Sequence, residues 1–85
     1  MPEISNFYGI AIYMYINEHN PPHFHVVYQE YKAIVSINDG IVKGEMPRRA
    51  LNLVFDWLDE HKEELLTNWE RLSNKESPLK IKPLK

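Results

Sequence analysis

Cysteine is absent from this sequence of 85 residues. Disulfide bonds and thiolate metal sites are therefore excluded. Long apolar runs are absent as well, since no segment approaches the roughly 20 consecutive apolar residues of a membrane-spanning helix. The first residues, MPEISNFYGI, lack the basic segment and the apolar core of a secretory signal. We therefore expect a cytoplasmic protein that does not associate with membranes.

An excess of positive charge is also lacking. The formal net charge is −2, which argues against a general nucleic-acid coat, because such a protein needs a net positive potential. A small local basic site for nucleic acid stays open. A chain of this length has room for one domain, which should be of modest stability unless a partner or ligand adds to it.

The N-terminal half of the chain shows a period of two, which is typical of strands. Residues 7–16 predict one strand with an aliphatic core face, and residues 23–29 and 31–37 predict two more, joined by a tight hairpin. The turn signal NDG then leads into a short strand around residues 41–43. The aliphatic face of the first strand carries Ile10, Ile12, Met14 and Ile16.

After Gly44 the period changes to that of a helix. Pro47 suits the first helical turn, and apolar residues then recur at steps of three and four. The pattern predicts a helix from Arg48 to about Ser73, roughly 39 Å long at 1.5 Å per residue. Because a small sheet can hardly cover that length, we expect a bend or break near His61, or a distal half that packs on another subunit.

The predicted fold class is α+β: a small antiparallel sheet of three to four strands, covered on one face by a long or broken C-terminal helix. Residues 1–73 should form this single domain. Residues 74–85, NKESPLKIKPLK, should form a basic, proline-containing tail that is extended or mobile.

The segment EHNPPHFHV holds three of the four histidines, His19, His23 and His25, around a double proline. If the first two strands pair with Tyr15 opposite His25, all odd-numbered residues share the sheet face away from the helix. Tyr13, Tyr15, His23 and His25 would then be neighbours, with His19 in the loop above them.

Three interpretations of these histidines stay open. Imidazoles two residues apart on a strand can reach one divalent metal ion, with His19 or Glu18 as a third ligand. Alternatively, the prolines stiffen the loop while the imidazoles bond to backbone carbonyls and tyrosine hydroxyls. Finally, His19, His23 and His25 can act as catalytic acids and bases. The fourth histidine, His61, is interpreted as a packed residue of the helix.

Arg48 and Arg49 occupy the first helical turn, where the helix dipole favours acidic residues. Two guanidinium groups beside free backbone N–H groups would suit an anion or phosphate. The alternative is that both arginines pair with nearby acids, such as Asp39 or Glu45, or with residues of a partner.

An amphipathic patch is predicted on the sheet face that the helix leaves free. It would comprise Tyr13, Tyr15, Val27 and Ile34. Exposed patches of this kind often mark interfaces, so we expect a homodimer or a complex with another protein.

The segments FYGIAIYMY, HNPPHFHV and PRRALNLVFDWLDEHKEELLTNW, with the lysine-rich tail, resemble a bacterial family known only as domain of unknown function 4160. The resemblance covers nearly the whole chain. It implies one half of a small two-gene module, whose neighbouring gene often encodes another small protein with antitoxin-like or DNA-binding character. No catalytic residue is carried over from it.

Three functions follow as hypotheses. The first is a protein-binding subunit of a toxin–antitoxin-like or regulatory complex, whose partner is the adjacent gene product or a second copy. The second is an RNA-acting phosphodiester enzyme, which needs Arg48 and Arg49 within a phosphate's reach of His19, His23 or His25. The third is a metal-binding protein, which needs converging imidazoles.

Overall fold

The structure is a computed structural model and describes residues 3–85 of the chain. These residues contain five strands and one helix. Consecutive strands pair antiparallel in the order β1-β2-β3-β4-β5. The antiparallel α+β fold with one C-terminal helix is confirmed, but the predicted three to four strands were too few. The elements are β1 (Glu3–Phe7), β2 (Ile10–Tyr13), β3 (His23–Tyr28), β4 (Tyr31–Ser36), β5 (Val42–Gly44) and α1 (Arg48–Ser73).

The additional strand, β1, results from a turn at Tyr8 and Gly9. Both residues have positive φ angles, 52° and 80°, which is the geometry of a two-residue hairpin turn. Phe7 therefore pairs with Ile10 across the turn. The prediction of one continuous strand over residues 7–16 was wrong, because the alternation of apolar residues does not reveal this reversal.

The core lies between the sheet and α1, which covers the aliphatic face as predicted. Trp57 of α1 is fully buried, and its ring packs against Phe7 at 5.5 Å and Phe24 at 5.7 Å between centroids. Ile16 departs from the expectation, since it is exposed in the loop after β2. The buried strand residues include Ile4, Ile10, Ile12, Phe24, Val26 and Val35.

Helix α1 has the predicted bounds and the predicted bend. His61 departs from helical geometry, with φ −125° and ψ 20°. Its ring packs on Trp57 and its Nδ1 lies 2.6 Å from Glu64 Oε1. Beyond the bend, Trp69 Nε1 donates a hydrogen bond to Asn20 Oδ1 in the loop after β2. Within residues 3–85, no helix is both long and apolar enough to cross a membrane.

The C-terminal tail packs on the domain. Ile81 is buried, and its N–H donates to the Ile4 carbonyl of β1 at 2.8 Å. The Asn68 side chain of α1 bonds to both backbone groups of Leu79, at 2.8 and 2.9 Å. Trp57 Nε1 donates to the Lys82 carbonyl. The tail therefore closes the core beside β1 and α1.

The register of β2 and β3 differs from the prediction. Tyr13, rather than Tyr15, lies opposite His25. The chain leaves the sheet after Tyr13, and Pro21 and Pro22 lack the backbone N–H groups that would extend the ladder. Because the error is two residues and the side-chain period is two, the predicted face is unchanged. The odd-numbered residues of β2 and β3 lie on the side away from α1, here called the open face.

Candidate functional site: a glutamate and two histidines on the open face

Strand β3 places His23 and His25 side by side on the open face. The residues between and after them, Phe24 and Val26, are fully buried under α1. The alternation of a strand therefore turns both imidazoles the other way. Their ring centroids are 5.4 Å apart, so the two histidines can act on one ligand.

The loop between β2 and β3 brings Glu18 to both rings. Its Oε1 atom lies 3.3 Å from His23 Nε2 and in closer contact with His25 Nε2. One ligand atom from each of the three residues lies within 4.8 Å of the other two. We call Glu18, His23 and His25 the Glu–His–His cluster. Their side chains are 27%, 14% and 24% exposed, so the cluster is shielded but open to solvent.

The loop also fixes the orientation of His23. His23 Nδ1 lies 2.8 Å from the carbonyl oxygen of Pro21. Because a carbonyl oxygen only accepts, the Nδ1 atom carries the hydrogen. In a neutral ring the Nε2 lone pair then points at Glu18. Metal-binding histidines are commonly oriented by such a hydrogen bond from the second nitrogen.

The Pro21–Pro22 segment is anchored at several points. The Pro22 carbonyl accepts a hydrogen bond from the Ile37 N–H at the end of β4. The Asn20 side chain is held by Trp69, and the Asn20–Pro21 peptide bond is cis. The two hydrogen bonds hold the residues on either side of Pro21 and so place its carbonyl where His23 can reach it.

Aromatic rings flank the cluster on two sides. The Tyr15 ring contacts the His25 ring edge-on, with 4.7 Å between the ring centroids. The centroids of the Trp69 and His23 rings are 5.1 Å apart. Burial raises the pKa of Tyr15, with smaller contributions from the charges of Tyr13 and Glu18. A tyrosine hydroxyl is already protonated at neutral pH at its ordinary pKa of about 10, so the Tyr15 hydroxyl can donate a hydrogen bond.

His19 does not join the converging ligand atoms. It is exposed in the loop and lines two surface depressions beside the cluster. Of the two alternatives for a third ligand, Glu18 is the residue that converges with His23 and His25. His19 remains close enough to contact a bound molecule, because it shares one depression with Glu18 and the other with His23.

Arg48 and Arg49 lie at the other end of α1. Both are exposed, and within residues 3–85 neither guanidinium group forms an ion pair. Roughly 30 Å of helix separates Arg48 from Trp69, the helix residue that touches His23, at about 1.5 Å per residue. The phosphodiester hypothesis requires the two arginines to lie close to the histidines. The structure does not place them there.

A family model described as Domain of unknown function (DUF4160) matches residues 9–70, more than half of the chain. The chain belongs to this family. The DUF4160 match begins at the turn before β2 and ends in the distal part of α1, so it includes the whole Glu–His–His cluster. Comparison with curated proteins and with solved structures gave no match.

The predicted interface residues form one patch of the DUF4160 domain. Tyr13, Tyr15, Val27 and Ile34 are all half-buried and line a single surface depression together with His25. The Tyr13 and Tyr15 rings stack, with an angle of 8° between their planes. The patch is therefore continuous with the cluster.

Two residues that the sequence did not assign to the site lie beside it. Trp69 was expected on the apolar stripe of the helix, but its ring faces His23. Lys43 lines the same depressions as His25 and His23. The signal for Lys43 is the strand register, in which His25 pairs with Ile34 and Ile34 pairs with Lys43.

Proposed function

We propose that the protein binds one divalent transition-metal ion through a Glu18 carboxylate oxygen, His23 Nε2 and His25 Nε2. The observation that carries the proposal is the convergence of these three ligand atoms within 4.8 Å. Two imidazoles and one carboxylate are a ligand set of zinc and non-haem iron sites. Imidazole ligands favour such ions over magnesium or calcium.

The hydrogen-bond pattern supports an ion at this place. Because His23 Nδ1 donates to Pro21, a neutral His23 points a lone pair at the Glu18 oxygen 3.3 Å away. Two acceptors then face each other, which is unfavourable in a partly shielded site. Either a positive ion between them or a second proton on His23 removes the conflict, and these alternatives can be separated by measurement.

Metal titration of the stripped, untagged protein tests the proposal. Zinc or cobalt should bind at one equivalent and raise the melting temperature. An ion at 100 times its Kd adds about 2.7 kcal/mol of stability, which corresponds to a rise of roughly 10–20 °C for a domain of this size. His23→Ala and His25→Ala should lose this rise, whereas the control His19→Ala should keep it. Binding of less than a tenth of an equivalent, with no change in melting temperature, would overturn the proposal.

A second candidate function is favoured by the patch of Tyr13, Tyr15, Val27 and Ile34. In this proposal the protein is a subunit of a two-gene, toxin–antitoxin-like or regulatory complex, and the patch binds the adjacent gene product or a second copy. Each Å² of apolar surface removed from water contributes about 25 cal/mol before association costs are subtracted. The stacked tyrosines offer large, rigid side chains of the kind enriched in interfaces.

Co-expression with the adjacent gene product, followed by size-exclusion chromatography and a growth assay, tests this candidate. The double substitution Tyr13→Glu and Val27→Glu should dissociate the assembly while circular dichroism still shows the helix. Tyr8→Glu is the matched control, because Tyr8 is 60% exposed in the β1–β2 turn. If the protein stays a monodisperse monomer at high concentration and does not bind the adjacent gene product, this result would count against the role as a subunit of a complex.

A further inference from the structure

We infer, on the basis of the proposed metal ion, that the open face binds a small dicarboxylate. One carboxylate of this ligand would occupy an open coordination position of the ion, and the other would pair with the Lys43 ammonium group.

Three protein ligands leave the ion incompletely coordinated. Metal sites with three protein ligands keep a position for water or substrate, whereas structural zinc sites are closed by a fourth protein ligand. The cluster is accessible from several directions, because each of its residues lines a different surface depression. Glu18 borders one of these depressions, His25 borders another, and His23 borders a third.

The strand register places Lys43 in one row with the cluster. Tyr13, His25, Ile34 and Lys43 are successive partners across β2, β3, β4 and β5. Directly paired residues point to the same face, and neighbouring strands lie about 4.8 Å apart, so the Cα atoms of His25 and Lys43 are roughly 10 Å apart. The flexible four-carbon stem of a lysine allows its ammonium group to reach back over Ile34.

The surface between the two positions suits the middle of a dicarboxylate. Ile34 is half-buried and lies between His25 and Lys43, so it gives methylene groups an apolar surface. Within residues 3–85 Lys43 forms no ion pair. Asp39 borders one depression together with Lys43, and its carboxylate accepts hydrogen bonds from Ser36 and the Ile41 N–H rather than pairing with the lysine.

Cobalt-loaded protein provides the test, because bound cobalt reports exogenous ligands through its visible spectrum. Glutarate should change the spectrum at a concentration at least tenfold below that needed for butyrate, which has one carboxylate and the same number of carbon atoms outside its carboxylate as glutarate has between its two. Lys43→Gln should remove this preference without changing cobalt affinity. Lys80→Gln is the matched control, because Lys80 lies beside β1 at the other edge of the sheet.

The outcomes separate the inference from the proposal on which it rests. If cobalt binds but glutarate leaves the spectrum unchanged, the ion is closed by the protein and the inference is overturned, while metal binding stands. Equal affinity for glutarate and butyrate, or a glutarate preference that survives Lys43→Gln, also overturns it. Failure of cobalt to bind removes both the metal proposal and the inference.

Discussion

His23 donates its Nδ1 hydrogen to the carbonyl oxygen of Pro21, 2.8 Å away, and thereby turns its Nε2 atom toward Glu18. The second proline of the loop is fixed by the N–H of Ile37. The double proline therefore has a definite part in the site, since its backbone carbonyls orient one histidine and anchor the loop to β4. Glu18, whose side chain completes the cluster, lies in the same loop.

The first prediction concerns Glu18→Gln, which keeps the size of the side chain and removes its charge. In the metal-free protein the stability should change by no more than about 1 kcal/mol, because ion pairs open to solvent contribute little. Metal affinity should fall by at least about tenfold, since even partners outside the ligand set commonly matter that much. Urea unfolding with and without zinc measures both effects. If the variant keeps the full zinc-dependent stabilisation, Glu18 is not a ligand.

Periodicity was sufficient to predict much of this fold. The apolar spacing of α1 gave its bounds, and the mismatch between its length and a small sheet indicated the bend at His61. The alternation in β3 was enough to place His23 and His25 on the open face. The two-residue error in the predicted register between β2 and β3 did not change the face on which these histidines lie, because the period of a strand is also two.

Loops and turns account for what could not be predicted. The reversal at Tyr8 and Gly9 depends on two positive φ angles, and Tyr8 is not a residue that signals such a turn. The choice between Glu18 and His19 as the third member of the cluster depends on the path of an irregular loop, which has no period. Trp69 lies beyond the bend and its ring faces His23, whereas its spacing alone places it among core residues.

The second prediction concerns Asn68→Asp. Asn68 is 1% exposed, its Nδ2 donates to the Leu79 carbonyl, and its Oδ1 accepts from the Leu79 N–H. An aspartate would place a buried charge beside that carbonyl, so the variant should lose at least about 2 kcal/mol of unfolding free energy at neutral pH. Exposed Asn52→Asp is the matched control and should have little effect.

The pH dependence of this variant has a definite sign. Burial raises the pKa of the introduced carboxyl in the folded state above the ordinary value of about 3.9 for aspartate. The folded state then binds more protons than the unfolded state. The loss of unfolding free energy caused by the substitution is therefore smallest below about pH 4 and grows as the pH rises through the folded-state pKa. Urea unfolding of variant and wild type across this range measures the difference. A cost independent of pH would mean that the carboxylate reaches solvent.

The third prediction compares two glycines with positive φ. At Gly44, with φ +118°, an added Cβ would lie 2.5 Å from the Lys32 carbonyl oxygen and 2.9 Å from the Ala33 Cα. At Gly40, with φ +70°, it would meet only Phe55 at 3.6 Å. Gly40→Ala should therefore cost about 1 kcal/mol, and Gly44→Ala clearly more, because β4 and β5 must separate. Equal unfolding free energies for the two variants would show that β5 does not pair with β4 as described.

The fourth prediction concerns the competition between protons and metal at His23 and His25. In the metal-free protein, the conflict between the His23 lone pair and Glu18 is removed when Nε2 takes a proton. A proton and a metal ion compete for the same imidazole lone pair, so metal binding should weaken as the pH falls and should release any proton held there. Calorimetric titration with zinc in two buffers of different ionisation enthalpy measures the number released, which should lie between zero and two and rise toward lower pH. His19→Ala should give the same values, because His19 lies outside the cluster. Zinc affinity that stays constant between about pH 5.5 and 8, across the range in which imidazoles ordinarily titrate, would mean that the ion is held by carboxylates elsewhere on the protein.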